Sequence, residues 1–482
     1  MTTLLTENSP CSELPGSELP GRASTGTGPT GDPRQGRVAP LLPVVGGDLP
    51  APLVDGRSVR YANLDYAASA PALRAVADHV AEALPYYSSV HRGAGFASQV
   101  STRLYESARR TVADFVGARD DDVVVFTRNT TDALNLLASA VPSGGDVIFL
   151  DVEHHANLLP WRALPHRCIT ASHTLAGTVE RLADALRERP AALVAVTGSS
   201  NVTGEILPVA RIAAIAHAHG ARVVVDAAQL APHRRIDIEA LGIDYLAFSG
   251  HKVYAPFGTG VLVGRRDWLD AAPAYLAGGG AVREVGEVDT EWAPAPQRHE
   301  GGTPNVLGAA ALAAACRTIA ALPEGALEAH EAQLRARLLR GLAGLRGVRV
   351  LQIWPDSSER IGVVAFTVAG HDSGRLAAYL SAEHGIGVRD GRFCAHPLLA
   401  RLGHGDGAVR ASLGVGSSSE DVDRLVEALA ALIEDGPHWH YALDAGRWAP
   451  RPDPRPSAPW LPAAPAGAPD PAAGVSPCSP GF

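Results

Sequence analysis

The alternation of short apolar runs with longer helical patterns is the feature that most constrains the fold. Four runs are dominated by aliphatic residues and predict buried strands: DDVVVFT, DVIFLD, AALVAVTG and ARVVVDAAQ. Three longer segments have the apolar spacing of helices: TDALNLLASA, TVERLADALRERP and PVARIAAIAHAHG. Apolar strands that alternate with helices are buried on both faces, so the pattern predicts an α/β fold with a mostly parallel sheet.

The pattern changes after residue 322. A charged helix near 324–345, strands at GVRVLQI and GVVAFTV, a helix near 373–384 and the helix SSEDVDRLVEALAALIEDG predict a smaller α+β domain. We therefore divide the chain into a large domain at 43–322 and a small C-terminal domain at 323–436. The ends, 1–42 and 437–482, are rich in Pro, Gly, Ser and Ala without periodicity, which predicts disordered tails because little apolar surface would be buried.

Charge and cysteine usage exclude several classes of protein. The net charge of -9 is spread along the 482 residues, which argues against nucleic acid or an anionic membrane as a partner. No basic and apolar leader opens the chain and no 18-residue apolar span occurs, so we expect a soluble cytoplasmic protein. The cysteines are scattered and lack C-x-x-C spacing, so we expect neither a disulfide framework nor a metal site. They are Cys11, Cys168, Cys316, Cys394 and Cys478.

Polar residues that directly follow apolar strands mark the candidate site, since ligands of parallel sheets bind beyond the carboxyl ends of the strands. In RNTTDALNLL, Asn129, Thr130 and Thr131 open a helix whose free N–H groups suit a phosphate, with simple helix capping as the alternative. In VVVDAAQ, Asp226 ends an apolar strand and Gln229 follows it. A carboxylate there needs a cationic partner such as a protonated ring nitrogen, although a helix N-cap is an equal alternative.

Lys252 and the histidines of DVEHHANLLPW complete the constellation. Lys252 follows the apolar run DYLAFSG, where desolvation would make its amine nucleophilic, although an exposed structural lysine is the ordinary outcome. Ser249 and His251 beside it offer further phosphate donors. His154 and its neighbour are too close together for a metal cage, so a stacking or proton-shuttling imidazole is expected, with a surface residue as the alternative. A phosphate site, a partner for a ring nitrogen, a stacking histidine and an aldehyde-binding lysine together predict pyridoxal phosphate.

At these residues the chain resembles the class V, fold-type I pyridoxal-phosphate enzymes, and within them the cysteine desulfurase and selenocysteine lyase group. The resemblance covers nearly everything but the two tails. Its segments are NLDYAASA, HRG, NTTDALN, EHHANLLPW, SSNVTGEILPV, VDAAQ, FSGHKVYAPFGTGVL, GGTPN and VRASLG. It implies a large domain with a mostly parallel sheet of seven strands, to whose companion small domain the first part of the chain contributes.

The resemblance also implies a role for each matched residue on the cofactor side. Lys252 would form the Schiff base, Asp226 would pair with the pyridinium nitrogen and Gln229 would contact the phenolic oxygen. His154 would stack on the ring and serve in catalysis. The phosphate shell would comprise Thr130, Thr131, Ser249 and His251.

Further matches concern the substrate and the neighbouring subunit. Thr303 in GGTPN would reach the phosphate of the neighbouring subunit, which implies a homodimer. Asn201 would touch both cofactor and substrate, and His91 would bind substrate. Arg389 is assigned to the substrate, with the backbone of its own loop and Cys394 as alternative partners.

Two matched residues bear directly on the identity of the substrate. Arg410 in AVRASLG would grip the amino-acid carboxylate, for which a planar guanidinium is suited, with a surface salt bridge as the alternative. Cys394 in VRDGRFCAHPLL would attack the substrate's sulfur and become a persulfide, on a loop expected to be flexible and electropositive. The alternative is an inert buried cysteine.

The chain departs from the family pattern only on the substrate side. Arg392 and Phe393 replace the usual pair of histidines before the cysteine, and GVGSSSEDV follows Arg410 where the family commonly has a Tyr-Asn pair. We expect a cysteine desulfurase that acts on L-cysteine, forms L-alanine and passes sulfur to an acceptor protein. An aminotransferase, epimerase or C-S lyase acting on another amino acid is the alternative, and a non-catalytic binding module is a third hypothesis.

Overall fold

A computed structural model describes residues 36–91, 93–444, 446–456 and 460. Most of the tail predicted at 1–42, and the end of the tail predicted at 437–482, lie outside the described residues. The helices are α1 (Arg74–Ala83), α2 (Phe96–Phe115), α3 (Thr130–Ala140), α4 (Leu175–Glu188), α5 (Val209–Ala218), α6 (Arg266–Ala271), α7 (Val306–Ala320), α8 (Ala326–Ala343), α9 (Ser373–His384), α10 (His396–Arg401) and α11 (Ser419–Glu434).

The strands are short and fall into one large sheet, one small sheet and several two-stranded pairs. They are β1 (Pro50–Pro52), β2 (Ser58–Arg60), β3 (Ala62–Asn63), β4 (Val123–Thr127), β5 (Val147–Leu150), β6 (His166–Ile169), β7 (Leu193–Thr197), β8 (Arg222–Asp226), β9 (Tyr245–Ser249), β10 (Gly260–Gly264), β11 (Val282–Val285), β12 (Thr290–Trp292), β13 (Val348–Val350), β14 (Val363–Val368), β15 (Ile386–Gly387), β16 (Arg389–Gly391), β17 (Ala408–Ser412), β18 (Tyr441–Asp444) and β19 (Arg447–Pro450).

The large sheet has seven strands in the order β4-β10-β9-β8-β7-β5-β6. All neighbours are parallel except β10, which runs antiparallel to both β4 and β9. Along β7, Val194 and Val196 contribute to one apolar core, whereas Leu193 and Ala195 contribute to another. Alternate residues therefore face opposite sides of a sheet that is covered on both faces, as a continuous apolar run requires. The predicted α/β fold with a mostly parallel sheet is confirmed.

The small sheet has the order β13-β14-β17-β16 with antiparallel neighbours. Its core includes residues from α8, α9 and α11, and also Val54, Ala62 and Leu64 from the amino-terminal part of the chain. Strand β3 pairs in parallel with β15, which directly precedes β16 of the small sheet along the chain. From Val38 onward the described chain forms one compact unit, so the division at 322/323 stays a prediction.

The tails were predicted too long at both ends. The N–H groups of Leu41 and Leu42 donate to Val415 O, and both side chains pack against the main core. At the other end β18 and β19 form a hairpin within the predicted tail at 437–482. Tyr441 is 4% exposed and Trp448 packs on the core of the small sheet, so a few aromatic side chains bury enough apolar area to order a Pro-rich stretch. None of the helices in the described ranges combines the length and apolar character that a bilayer crossing requires.

Candidate active site

A cavity of about 290 Å³ lies between the carboxyl ends of the parallel strands and the small sheet. It brings together most of the residues predicted from the sequence, from segments up to several hundred positions apart. The predicted residues that line it are Thr130, Thr131, His154, Asn201, Asp226, Gln229, Ser249, His251, Lys252, Arg389, Cys394 and Arg410. The cavity therefore combines a cofactor side, built on the large sheet, with a substrate side, built on the small sheet.

The amino terminus of α3 forms one end of the cavity. Asn129 caps the helix, since its Oδ1 accepts from the N–H of Asp132 at 3.0 Å. Thr130 N–H donates to Ser249 Oγ at 2.8 Å, and the hydroxyl oxygens of the same two residues lie 2.6 Å apart. A Cβ on Gly260 would lie 2.5 Å from Asn129 Cα, so only glycine permits this approach of β10 to the turn. Helix capping and anion binding are therefore compatible here, because Asn129 caps the helix while Thr130 and Thr131 line the cavity.

Asp226 lies at the end of β8 and is 4% exposed. Its Oδ1 accepts from Ala228 N–H at 2.9 Å, and burial raises the pKa of the carboxyl. The helix N-cap alternative is wrong, because turns rather than a helix follow it. Gln229 Nε2 donates to Ala67 O at 2.7 Å, while among the described residues Gln229 Oε1 is buried without a hydrogen-bond partner. A buried carboxylate and an unpaired amide oxygen facing one cavity suit a polar ligand that carries positive charge.

Lys252 ends a short 3-10 turn that directly follows β9. Burial lowers the pKa of its amine to about 8, although the carboxylate of Asp226 counteracts part of the effect. A Cβ on Gly250 would lie 2.8 Å from Thr259 O, so glycine is needed where the turn packs against the sheet. The amine is thus half-buried in the cavity wall and is not the exposed structural lysine of the alternative.

Two histidines beside Lys252 are held neutral. Burial, and then the positive charge of Lys252, lower the pKa of His154 to about 3 and that of His251 to about 4. His154 Nδ1 accepts from Ala156 N–H at 3.0 Å, which places the ring proton on Nε2. His154 therefore offers a neutral ring that can stack against a heterocycle without adding positive charge next to Lys252.

The sequence analysis missed Glu153 and Thr197. Glu153 is 0% exposed; its Oε1 accepts from Thr197 N–H at 3.1 Å and its Oε2 from Asn157 Nδ2 at 2.7 Å. Burial raises the pKa of this carboxyl to about 8. Through its two hydrogen bonds, Glu153 links the turn that carries His154 to the end of β7. Thr197 lines the cavity and ends the apolar run of β7, which is the signal that also revealed Asp226.

On the substrate side, Cys394 lies on a tight turn after β16. Phe393 and Cys394 both have φ of +52°, a left-handed conformation that costs free energy for residues other than glycine. Cys394 O accepts from His155 N–H at 2.9 Å and Phe393 O accepts from Asn201 Nδ2 at 2.8 Å. Cys394 is half-buried and lines the cavity. The loop expected to be flexible is therefore a short turn held by hydrogen bonds from two neighbouring loops.

Arg410 comes from β17 and is 3% exposed, so the surface salt bridge of the alternative is wrong. Its Nη1 donates to Asn201 O at 2.9 Å and its Nη2 to Asp65 Oδ1 at 3.1 Å. Arg389 of the edge strand β16 is the register partner of Arg410 and lines the same cavity. This places two guanidinium groups on the wall from which Cys394 projects.

Two predicted residues lie outside the cavity. His91 Nε2 lies 3.0 Å from Glu106 Oε1 and the side chain is 43% exposed. Thr303 is exposed in a turn before α7. Their assignments, to substrate for His91 and to a neighbouring subunit for Thr303, stay predictions.

Comparison with known proteins agrees with this architecture. The family model described as Aminotransferase class-V matches residues 62–425. A cysteine desulfurase of Dickeya dadantii is 38% identical over 388 residues, which cover 78% of this chain and 92% of the relative. A probable cysteine desulfurase 2 of Mycobacterium leprae is 40% identical over 364 residues, covering 72% and 85% of the two chains.

Two solved structures are similar as well. The apo cysteine desulfurase from Thermococcus onnurineus NA1 has a TM-score of 0.72 and 35% identity, and the similarity covers 78% of this chain and 95% of that one. The cysteine desulfurase CsdA (S-sulfonic acid) of Escherichia coli has a TM-score of 0.68 and 36% identity, with coverage of 77% and 94%. The chain therefore belongs to the class-V aminotransferase family, whose members depend on pyridoxal phosphate. Within that family it falls in the cysteine desulfurase group.

Proposed function

We propose that the protein is a cysteine desulfurase that uses pyridoxal phosphate to take sulfur from L-cysteine, leaving L-alanine and a persulfide on Cys394. The observation that carries this proposal is the meeting of a half-buried thiol, a desolvated lysine and a buried arginine in one cavity. Each group meets one requirement of the reaction. The thiol is a nucleophile for the substrate's sulfur, the lysine amine is a base for the proton on the α-carbon, and the arginine is a cation for the carboxylate.

The residues on the cofactor side fit pyridoxal phosphate. Asp226 is a buried carboxylate that lines the cavity, where it suits a ring nitrogen that must stay protonated. The buried amide of Gln229 faces the same space, and the phosphate suits the amino terminus of α3 with Thr130 and Ser249. When bound, the cofactor supplies an electron sink for bonds at the α-carbon of the substrate.

Lys252 is the residue we assign to proton transfer at the α-carbon. With a pKa near 8 its amine, when free, is part neutral at physiological pH, and a neutral Nζ can accept the proton. His154 stays neutral at that pH and would stack on the cofactor ring. Its Nε2 proton is available as a hydrogen-bond donor toward the cavity.

Arg410 and Cys394 act on the substrate itself. Arg410 would bind the α-carboxylate, and Asn201, whose carbonyl accepts from Arg410 Nη1, would contact both substrate and cofactor. Cys394 Sγ, as the thiolate, attacks the sulfur of L-cysteine: an S–S bond forms and the Cβ–S bond breaks. The electron pair of that bond goes to carbon, which takes up protons to give L-alanine, and the persulfide remains on the enzyme. Atoms balance, since one thiol and L-cysteine yield one persulfide and L-alanine.

We further propose that the enzyme is a cytoplasmic homodimer that transfers its persulfide sulfur to an acceptor protein. Thr303 is exposed and lies outside its own cavity, as expected of a residue that serves a neighbouring subunit. Sedimentation of the purified protein tests the dimer, and a monomer at micromolar concentration would contradict it.

Purified enzyme loaded with pyridoxal phosphate tests the proposed function directly. After addition of L-cysteine we expect the cofactor absorbance to change and alanine and sulfide to appear in equal amounts when a reducing thiol is present. An absorbance change without sulfide would favour the alternative, an aminotransferase, epimerase or C-S lyase acting on another amino acid. The alternative is tested because Arg392 and Phe393, which precede Cys394, differ from the pattern of the family that the chain resembles.

A further inference from the structure

Phe393 touches both groups that act on the substrate. It immediately precedes Cys394, shares its left-handed backbone conformation and is 3% exposed. Arg410 Cζ lies 5.3 Å from the centre of its ring, within the range of a cation–π contact.

Asn201 forms hydrogen bonds with both Arg410 and Phe393. Its carbonyl accepts from Arg410 Nη1 at 2.9 Å and its side-chain amide donates to Phe393 O at 2.8 Å. Both contacts are buried. Arg410, Asn201 and Phe393 therefore form a closed unit, and Cys394 extends directly from it.

The remaining hydrogen-bonding capacity of Arg410 shows which edge of the guanidinium is available. Nη1 is bound to Asn201 O, and one hydrogen of Nη2 goes to Asp65. In the described part of the chain, Arg410 Nε is buried without a hydrogen-bond partner. A carboxylate that pairs with Nε would leave the bond to Asn201 O intact, because that bond uses Nη1.

We propose that Phe393 is a positioning residue that orients this free edge of Arg410 and fixes its distance to Cys394, so that the enzyme selects an α-carboxylate and presents the thiol to the sulfur of the same molecule. The inference rests on the proposed function, because it assigns the carboxylate to Arg410. The ring fixes the plane of the guanidinium, and the backbone of Phe393 fixes the turn. A loss of the ring weakens carboxylate binding, and a loss of the turn geometry misplaces the thiol.

The test compares two ligands that differ only in the carboxylate, L-alanine and ethylamine, by titrating the cofactor absorbance of the loaded enzyme. Phe393→Leu and Phe393→Met both remove the ring while keeping an apolar side chain. We expect the preference for L-alanine over ethylamine to fall about tenfold in either variant. Phe393→His keeps a ring and should retain most of the preference at a pH where the imidazole is neutral. An unchanged preference in the ring-less variants, or an equal loss in Phe393→His, would overturn the proposal.

A second measurement tests the connection to Cys394. In Phe393→Leu we expect kcat/KM for L-cysteine to fall about a hundredfold, more than the loss of ligand affinity, because the nucleophile is misplaced as well. Equal losses in the two measurements would overturn the connection. Phe366→Leu is the matched control, since Phe366 is fully buried on β14 of the same small sheet and does not line the cavity.

The ligand titration separates this inference from the proposed function. If the wild-type enzyme prefers L-alanine to ethylamine but forms no alanine and sulfide from L-cysteine, the proposed function fails while the role of Phe393 in carboxylate binding is still measured. If the enzyme is an active desulfurase and Phe393→Leu keeps the wild-type preference, the inference alone fails.

Discussion

The two sides of the cavity are built in different ways. On the cofactor side, Thr197 and Asp226 end β7 and β8, and Lys252 lies just after β9. These are neighbouring parallel strands of the large sheet, so the strand ends themselves bring the three residues together. On the substrate side, Arg410 lies on β17 of a small antiparallel sheet, and Cys394 lies on a tight turn just after the neighbouring strand β16.

The two sides of the cavity are therefore held in place by different interactions. The cofactor side is fixed by the core of the large sheet, and a single substitution there changes the chemistry without moving the wall. The substrate side is fixed by a few hydrogen bonds and ring contacts, among them the bond from Asn201 to Phe393 O. We therefore expect substitutions on the cofactor side to affect every reaction of the enzyme, and those on the substrate side to affect sulfur transfer selectively.

The largest effect should come from Lys252, which lies on the cofactor side. Lys252→Ala removes the base at the α-carbon, so turnover of L-cysteine should fall at least about 10³-fold. The thermal midpoint should stay near that of the wild type, because a desolvated lysine contributes little to stability. Turnover within tenfold of wild type would show that another group moves the α-proton.

Cys394→Ala should impair the substrate side of the cavity and leave the cofactor side intact. Sulfide release should fall about 10²- to 10³-fold for lack of the nucleophile, while the cofactor still binds and its absorbance still responds to L-cysteine. Cys168→Ala is the matched control, because Cys168 is an exposed cysteine on the edge strand β6. An equal loss in both variants, or none in Cys394→Ala, would break the comparison.

Asp226→Asn tests the charge on the cofactor side. Removing the buried carboxylate should weaken binding of pyridoxal phosphate about 10- to 100-fold, because a charge-assisted hydrogen bond to the ring nitrogen is lost. Equilibrium dialysis of the cofactor measures the effect. The exposed Asp289→Asn serves as the control, and equal affinities in the two variants would contradict the assignment.

The smallest effect concerns Glu153 and the pH dependence of stability. Its pKa of about 8 in the folded protein lies above the usual value of 4.5, so between these values the folded state binds more protons than the unfolded state. Stability should therefore fall as pH rises from 5 to 8 (about 1.4 kcal/mol per unit at most).

Glu153→Gln does not titrate, so its melting temperature should rise relative to that of the wild type by roughly a few degrees across that pH window. Thermal melting of the apoprotein at several pH values measures the difference. Glu180→Gln, at an exposed position of α4, should give no such trend, and parallel curves for wild type and Glu153→Gln would contradict the buried carboxyl.

The two sides also differ in how far the sequence alone predicts them. A polar residue directly after an apolar strand is a local signal, so the sequence pattern is enough to identify Asp226 and Lys252. The same signal applies to Thr197, which the sequence analysis missed. Glu153 could not be recognised as buried, because it lies three residues beyond the end of β5 and an acidic residue in a turn is usually exposed.

The substrate side offers no such local signal. Cys394 and Arg410 were identified by resemblance, since β16 is only three residues long and the turn that carries Cys394 is held by contacts from distant loops. The contact between Phe393 and Arg410 joins the turn after β16 to β17, and the sequence pattern does not specify the pairing of these two strands. The hairpin at Tyr441–Asp444 and Arg447–Pro450 was missed for the related reason that a Pro-rich composition masked three buried or half-buried aromatic side chains.

The most direct test of the central claim is a single turnover of the loaded wild-type enzyme with a limiting amount of L-cysteine in the absence of reducing thiol, followed by mass spectrometry of the Cys394 peptide. The proposed mechanism predicts one added sulfur atom on Cys394 and one L-alanine formed for each L-cysteine consumed. Alanine or another product without sulfur on Cys394 would contradict it.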